Sequence, residues 1–184
     1  MERIERQIMG NDRSQIYIGT PNGIVLCADK GSEHTLKGRF YHAYSKDPVY
    51  FENEDQLIFE MEQFFDSIHF PHPATNIRLF SEQDKTLRRD SMAAREFRQN
   101  GRNIIGNREK VMKDQELLSR HGDMGSFIVR VQQRQNSSMQ GRLTWIEKNK
   151  TVYFRSVWEL IRLIDSAVEM NSPSPEDELP SWDD

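Results

Sequence analysis

The stretch that decides the fold is residues 126–168, which read SFIVRVQQRQNSSMQGRLTWIEKNKTVYFRSVWELIRLIDSAV. Apolar and polar residues alternate over Ser126 to Arg134, which predicts a strand, and Asn136-Ser-Ser then predicts a turn. Gly141 to Glu147 and Thr151 to Phe154 predict two further strands, joined by a tight connection at Lys148-Asn149-Lys150. We therefore expect a three-stranded antiparallel meander.

A helix is predicted directly after the meander. Ser156 occupies an N-cap position, and Glu159 completes the pattern of a capping box. Beyond the cap, apolar residues recur at the spacing of one helix face, namely Leu160, Ile161, Leu163, Ile164, Ala167 and Val168. The stretch thus predicts a small sheet closed by one amphipathic helix.

The same pattern occurs earlier in the chain. Ile24 to Phe65 aligns without gaps on Phe127 to Val168, an offset of 103 residues. The identical positions are Gly38/Gly141, Arg39/Arg142, Val49/Val152, Tyr50/Tyr153, Phe51/Phe154, Leu57/Leu160 and Ile58/Ile161. The apolar positions of the strands and the helix coincide as well. Because duplicated modules leave this kind of trace, we predict two copies of one strand-strand-strand-helix (βββα) module.

The first copy is expected to carry additional strands. Its helix is predicted over Glu52 to Asp66, with Asn53 as the N-cap. Thr20-Pro-Asn-Gly23 is a strong hairpin signal between Ser14 to Gly19 and Ile24 to Ala28, which predicts an extra N-terminal strand. Asn76 to Phe80 is a candidate for a further strand.

The two copies differ in charge. Residues 24–65 hold eight acidic and four basic side chains, whereas residues 127–168 hold three acidic and seven basic ones. A module of this size buries too little apolar surface to be stable on its own. Opposite charges favour pairing of the copies, within one chain or between chains, although drift after duplication explains the same charges.

The segment that joins the copies is predicted to be helical and basic. One helix is expected over Glu82 to Gln99 and another over Asn107 to Arg120. In the first helix and beyond it, Arg88, Arg95 and Arg102 share a heptad spacing and could form one cationic face. Such a face is either a solvated surface with intrahelical ion pairs or a contact surface for phosphate.

The last residues are acidic and rich in proline. Residues 171–184 contain Glu176, Asp177, Glu178, Asp183 and Asp184 without any Lys or Arg, which predicts a disordered tail. The tail is interpreted as a solubilising end, as a docking peptide with Leu179 and Trp182 as anchors, or as an intramolecular competitor for a basic groove.

No catalytic or metal motif is specific enough to indicate an enzyme. The single Cys27 excludes an internal disulfide and a zinc site built from several thiolates, and it is expected to be buried and inert. Asp66, His69 and His72 lie in a predicted loop after a helix, where a metal site is disfavoured. We expect no metal or cofactor. No run approaches the ~20 apolar residues of a membrane span, and no signal peptide is seen, so a cytoplasmic protein is expected.

The predicted fold class is α+β: two related βββα modules, a helical connector and a disordered acidic tail. The expected boundaries are 1–80 for the first module with its added strand, 81–123 for the connector, 124–170 for the second module and 171–184 for the tail.

The predicted function is that of a non-enzymatic adaptor or regulatory protein that acts through protein contacts as a homo-oligomer. The expected contact residues are Trp145, Tyr153, Trp158, Leu179 and Trp182. The alternative is a nucleic-acid-binding accessory protein that uses Arg88, Arg95, Arg102, Arg142 and Arg155.

Overall fold

Six antiparallel strands form one sheet in the computed structural model, and the central strand Ile24–Asp29 is a continuous apolar run as far as Ala28 because both of its faces are covered. The structure describes residues 16–30, 35–74, 109–135 and 138–171. The strands are β1 (Ile24–Asp29), β2 (Lys37–His42), β3 (Val49–Phe51), β5 (Gly125–Gln135), β6 (Ser138–Trp145) and β7 (Lys150–Phe154). They lie in the order β3-β2-β1-β5-β6-β7, and a short β4 (Pro73–Ala74) pairs parallel to β5. The fold is therefore mixed α+β.

The centre of the sheet is the antiparallel pairing of β1 with β5. Val25 lies opposite Ile128 there, and on either side Ile24 pairs with Val129 and Leu26 with Phe127. The outer strands repeat one register. In the first half the pairs are Leu26↔Phe40, Ala28↔Gly38 and Gly38↔Phe51, and in the second half they are Val129↔Leu143, Val131↔Gly141 and Gly141↔Phe154. Every residue of the second set lies 103 positions after its counterpart.

Gly38 and Gly141 are required by close backbone approach. A Cβ on Gly141 would overlap the carbonyl oxygen of Arg130, and it would lie 3.0 Å from the ring of Phe154. A Cβ on Gly38 would overlap the carbonyl oxygen of Cys27 in the same way. In both places glycine lets the aromatic ring of the next strand lie against the sheet.

Two long helices begin with the predicted caps. Helix α1 (Glu54–Ser67) starts after Asn53, whose Oδ1 accepts a hydrogen bond from the Gln56 amide at 2.8 Å. Helix α3 (Val157–Asn171) starts after Ser156, whose Oγ accepts from the Glu159 amide at 3.1 Å. The predicted N-cap is therefore confirmed. The Glu159 carboxylate accepts from the Arg155 amide at 2.7 Å, one residue before the Ser156 amide that a capping box uses, so the reciprocal bond is displaced by one residue.

The main core lies between the sheet and these two helices. Its largest fully buried rings are Phe40, Phe51, Phe65, Phe127 and Phe154. From the helices, the buried apolar residues Leu57, Met61, Phe64, Leu160, Ile161 and Ile164 pack into the same cluster. Because one cluster contains residues of both halves of the sheet and of both helices, the two halves share a single core.

A second, smaller cluster lies on the opposite face of the sheet. It contains Ile18, Val25, Cys27, Tyr41, Ala43, Met112, Leu117 and Ile128. Residues 109–120 cover this face, and the short helix α2 (Asp114–Leu118) belongs to them. The amides of Val111 and Met112 both donate to the carbonyl oxygen of Ala43, at 2.7 and 3.0 Å. These bonds hold residues 111 and 112 against the end of β2. Within the described residues, the helix predicted over Asn107 to Arg120 is therefore only the five residues of α2.

The predicted N-terminal hairpin strand is also corrected. The turn at Thr20 to Gly23 is present, since the Gly23 amide donates to the carbonyl oxygen of Thr20 at 3.1 Å. However, residues 16–19 are irregular. The reason is that β1 already pairs with β2 on one edge and with β5 on the other, which leaves no edge for a hairpin partner.

Several predictions fall outside the described residues. They are the strand Asn76 to Phe80, the helix Glu82 to Gln99 with Arg88 and Arg95, the position of Arg102, and the tail beyond Asn171 with Leu179 and Trp182. Among the residues that the structure does describe, no helix is long and apolar enough to cross a membrane.

Candidate interaction surface

The predicted contact residues of the second half separate into one core residue and two surface residues. Trp145 is only 8% exposed and packs against Phe127, with their ring centroids 6.2 Å apart. Tyr153 and Trp158 are 62% and 72% exposed. Trp145 therefore belongs to the core, whereas the other two lie close together in the chain at the end of β7 and the start of α3.

The outer edge of β7 is open. Strand β7 ends the sheet, and within the described ranges only β6 pairs with it. Val152 and Phe154 point to the main core, while Tyr153 points to the opposite face of the sheet. An edge strand of five residues that has no partner strand in the described part of the chain is a site where another strand can add.

An apolar cleft of about 110 Å³ lies beside this edge. It is formed by the core face of β5, β6 and β7 and by α3, and its lining residues are Phe127, Leu143, Trp145, Lys150, Val152, Leu163, Ser166, Ala167 and Met170. The indole Nε1–H of Trp145 is buried and has no acceptor among the described residues. Met170 is largely exposed, so the cleft adjoins solvent.

The face of the second half that points away from α3 carries a pair of arginines. Arg130 on β5 lies directly opposite Arg142 on β6, and Arg142 lies opposite Tyr153 on β7. The guanidinium carbon of Arg142 is 4.8 Å from the ring centroid of Tyr153, and that of Arg130 is 5.2 Å from the ring centroid of Tyr17. Arg130 also donates to the carbonyl oxygen of Tyr17. We call these four residues the arginine–tyrosine surface.

The electrostatic setting of this pair is unfavourable within the protein itself. Burial lowers the pKa of the Arg130 guanidinium, the nearby Tyr17 acts in the opposite direction, and the charge of Arg142 lowers the pKa as well. Arginine nevertheless stays protonated at neutral pH. No ion pair connects Arg130 or Arg142 with a carboxylate of the described residues.

The corresponding place in the first half is neutralised. Arg39, which lies opposite Tyr50, forms an ion pair with Asp29. Its Nε donates to the hydroxyl of Tyr41 at 3.1 Å, and its Nη2 donates to the carbonyl oxygen of His121 at 3.1 Å. The two halves therefore place an arginine and a tyrosine in the same register but give them different electrostatic surroundings.

Arg155, the other predicted phosphate contact of this half, does not join the arginine–tyrosine surface. Its side chain is exposed and pairs with Glu159, at an N···O distance of 3.4 Å. Hydrogen bonds from the backbone and side chain of Arg155 lower the pKa of Glu159. Arg155 thus belongs to the cap of α3.

The remaining candidates are Cys27 and the residues around Asp66. Cys27 is fully buried, as expected, and burial raises the pKa of its thiol to about 12. Asp66 accepts a hydrogen bond from Arg134 at 2.7 Å. No group of three or more His, Cys, Asp or Glu side chains in this part of the chain is arranged to hold a metal ion.

The sequence interpretation missed Arg130 and Tyr17 as surface residues. One signal for Arg130 was present, because strand alternation places it on the face opposite Phe127 and Val129. The repeat alignment also pointed here, since Arg39/Arg142 and Tyr50/Tyr153 are two of its identities. Nothing in the sequence pattern predicts that Tyr17 meets Arg130, which lies 113 positions later.

Comparison of the chain with protein-family models, with curated proteins and with solved structures gave no match.

Proposed function

We propose that the chain is a non-enzymatic adaptor or regulatory protein that binds an extended segment of a protein partner along the outer edge of β7. The observation that carries this proposal is the open edge of β7 (Lys150–Phe154) directly beside the apolar cleft. A strand that adds to such an edge gains main-chain hydrogen bonds, and alternate side chains of the added strand provide specificity.

The cleft supplies the anchor for one of those side chains. Its apolar walls, formed in part by Leu163, Ala167 and Met170, suit an aliphatic or aromatic side chain of the partner. Burial of one such side chain contributes roughly 1.5–3 kcal/mol. Tyr153 on β7 and Trp158 at the start of α3 have large exposed rings, of the type that dominates protein interfaces.

We further propose that residues 24–67 and 125–171 are two copies of one βββα module that pair within the chain through β1 and β5. Three observations support the duplication: the constant offset of 103 in strand register, the glycines at positions 38 and 141, and the matching caps at Asn53 and Ser156. In this arrangement each module obtains its partner inside the chain. A homo-oligomer, which we also propose, then forms through an outer edge of the sheet, and a copy whose β7 edge is paired in this way cannot bind the partner segment there at the same time.

The test compares partner capture by matched variants. Trp158→Ser and Met170→Asp alter the β7 edge and the cleft, whereas Phe59→Ser removes an exposed aromatic from α1 and serves as the control. Proteins captured from native lysate by the wild type are identified by mass spectrometry. We expect the captured set to be lost from the two edge variants and kept by the control.

Light scattering of the same proteins tests self-association. A wild-type mass above that of one chain, reduced by Met170→Asp, supports pairing of copies through this edge. Capture that is equal for all variants, together with a monomeric wild type, contradicts the proposed use of β7. Circular dichroism of each variant establishes that its fold is intact.

A further inference from the structure

The arginine–tyrosine surface brings two like charges together, and no carboxylate of the described residues forms an ion pair with either of them. Arg130 and Arg142 face each other across β5 and β6, a placement that destabilises a sheet. The Nε atoms of both arginines are buried and have no acceptor among the described residues. Arg39 in the first half, by contrast, is paired with Asp29. Within the described part of the chain, Arg130 and Arg142 therefore have positive charge available for an anionic ligand.

The flanking rings add a second binding property. Tyr17 and Tyr153 are each 62% exposed, although one guanidinium lies over each ring. An exposed aromatic ring on a sheet is a platform on which a planar base can stack. The row Arg130, Arg142 and Tyr153 crosses three neighbouring strands and therefore spans roughly 10 Å.

We propose that the arginine–tyrosine surface binds single-stranded nucleic acid, with phosphate groups at Arg130 and Arg142 and bases stacked on Tyr153 and Tyr17. This activity uses one face of the sheet, whereas the proposed protein contact uses the β7 edge and the cleft, and Tyr153 is the residue common to both. A single strand is favoured over a duplex because only unpaired bases can reach the rings. A carboxylate-rich peptide would use the arginines but would leave the rings without a stacking partner.

The two halves differ in whether the arginine beside the exposed tyrosine is paired with a carboxylate. Tyr50 is exposed like Tyr153, but its neighbour Arg39 is neutralised by Asp29. The first half therefore retains an exposed ring whose neighbouring arginine is already paired with a carboxylate. We expect the binding site to be confined to the second half, which makes Arg39 and Tyr50 matched controls for Arg142 and Tyr153.

The experiment measures fluorescence anisotropy of labelled oligothymidine and oligouridine with the full chain at two salt concentrations. Tyr153→Ala is expected to weaken binding about tenfold, which corresponds to the loss of one stacked base. Arg142→Gln is expected to weaken binding and to reduce the salt slope by about 0.7, the value for one phosphate contact on a single strand. Tyr50→Ala and Arg39→Gln are expected to bind like the wild type. Arg142→Lys, which keeps the charge and cannot stack its head group flat on Tyr153, is expected to retain the salt slope and lose part of the affinity.

Four results would overturn the inference. They are wild-type binding that does not depend on salt, equal losses in the first-half controls, equally tight binding of duplex DNA, and binding of polyglutamate that depends equally on Arg142 and Tyr153. The last result assigns the surface to an acidic protein instead. Met170→Asp, the edge variant, must bind the oligonucleotides normally, so that failure of the β7 proposal and failure of this one are distinguishable.

Discussion

Val25 lies opposite Ile128 at the centre of the sheet, and each has the same place in its own half of the chain. The neighbouring pairs Ile24↔Val129 and Leu26↔Phe127 are related by the same exchange of halves. The two side chains are fully buried in the smaller cluster on the face away from the long helices. The seam between β1 and β5 therefore holds the two halves in one folding unit.

Shortening a buried side chain at the seam between β1 and β5 should destabilise both halves together. Ile128→Ala is expected to lower the free energy of unfolding by about 2–5 kcal/mol, because it leaves a cavity at a fully buried site. Urea denaturation, followed by circular dichroism and by tryptophan fluorescence, should show one common transition at a lower midpoint. Two separate transitions would indicate that the halves fold independently.

Addition of a methyl group at Gly141 should be poorly tolerated. The new Cβ of Gly141→Ala would overlap the backbone oxygen of Arg130, which cannot move without loss of strand pairing. We expect a loss of about 1–3 kcal/mol, the usual cost of overpacking. Gly125→Ala is the control, since its nearest neighbour is the Phe127 ring at 3.1 Å and a side chain adjusts more easily. Thermal denaturation of the two variants should separate them clearly.

Arg134 connects the second half of the sheet to α1 of the first half. Its buried side chain pairs with Glu62 and with Asp66, and it donates to the carbonyl oxygen of Pro71 at 3.3 Å. Arg134→Met should cost about 1–3 kcal/mol, the range for loss of hydrogen bonds to charged groups, because both carboxylates are near enough to solvent to be rehydrated. Chemical denaturation in low and high salt provides the measurement. An unchanged midpoint would show that the ion pairs contribute nothing net.

Asp165 should make the stability of the protein depend on pH, and the direction of its pKa shift gives the sign of this dependence. Burial raises its pKa, and the charges of Glu54 and Glu169 raise it further. A folded-state pKa above the unfolded value means that the folded protein binds the proton more tightly, so this group's contribution to stability is lost as pH rises through the folded pKa. Asp165→Asn should therefore stabilise the protein near pH 7, and the gain should vanish below about pH 4, the unfolded aspartate pKa. A gain of equal size at both pH values would contradict this origin.

Cys27 should be chemically inert in the folded protein. It is fully buried, and burial raises its pKa to about 12, so almost no thiolate forms at pH 8. Mass spectrometry after treatment with iodoacetamide should find native protein unmodified and urea-unfolded protein alkylated. Rapid labelling of the native protein would place a reactive thiol where we expect none.

Local sequence patterns were sufficient where the deciding interaction is local. The caps at Asn53 and Ser156 bond to amides three residues ahead, so the sequence around each helix start contains both partners. The alternation along β5 likewise predicted the buried residues Phe127, Val129 and Val131. These features need no knowledge of the rest of the chain.

Predictions were wrong where a distant segment decides. The strand expected before Thr20 is absent from residues 16–19 because β5, a hundred residues later in the chain, occupies the edge of β1. The Ala43 carbonyl similarly accepts the two amides that limit helix α2. Trp145, which was expected to contact a partner, lies in the core beside Phe127 on the helix-covered face of the sheet. Neither pairing across the sheet nor side-chain burial is specified by a single segment.

The two ends of the sheet are unlike. Strand β3 presents three residues and β7 presents five, and every strand between them is paired on both edges in the described part of the chain. If two copies of the chain pair through their β7 strands, the β7 edge is buried in both copies. Each copy then exposes only its short strand, which is a poor template for a third. Strand addition should accordingly stop at a closed pair and should not proceed to a fibre.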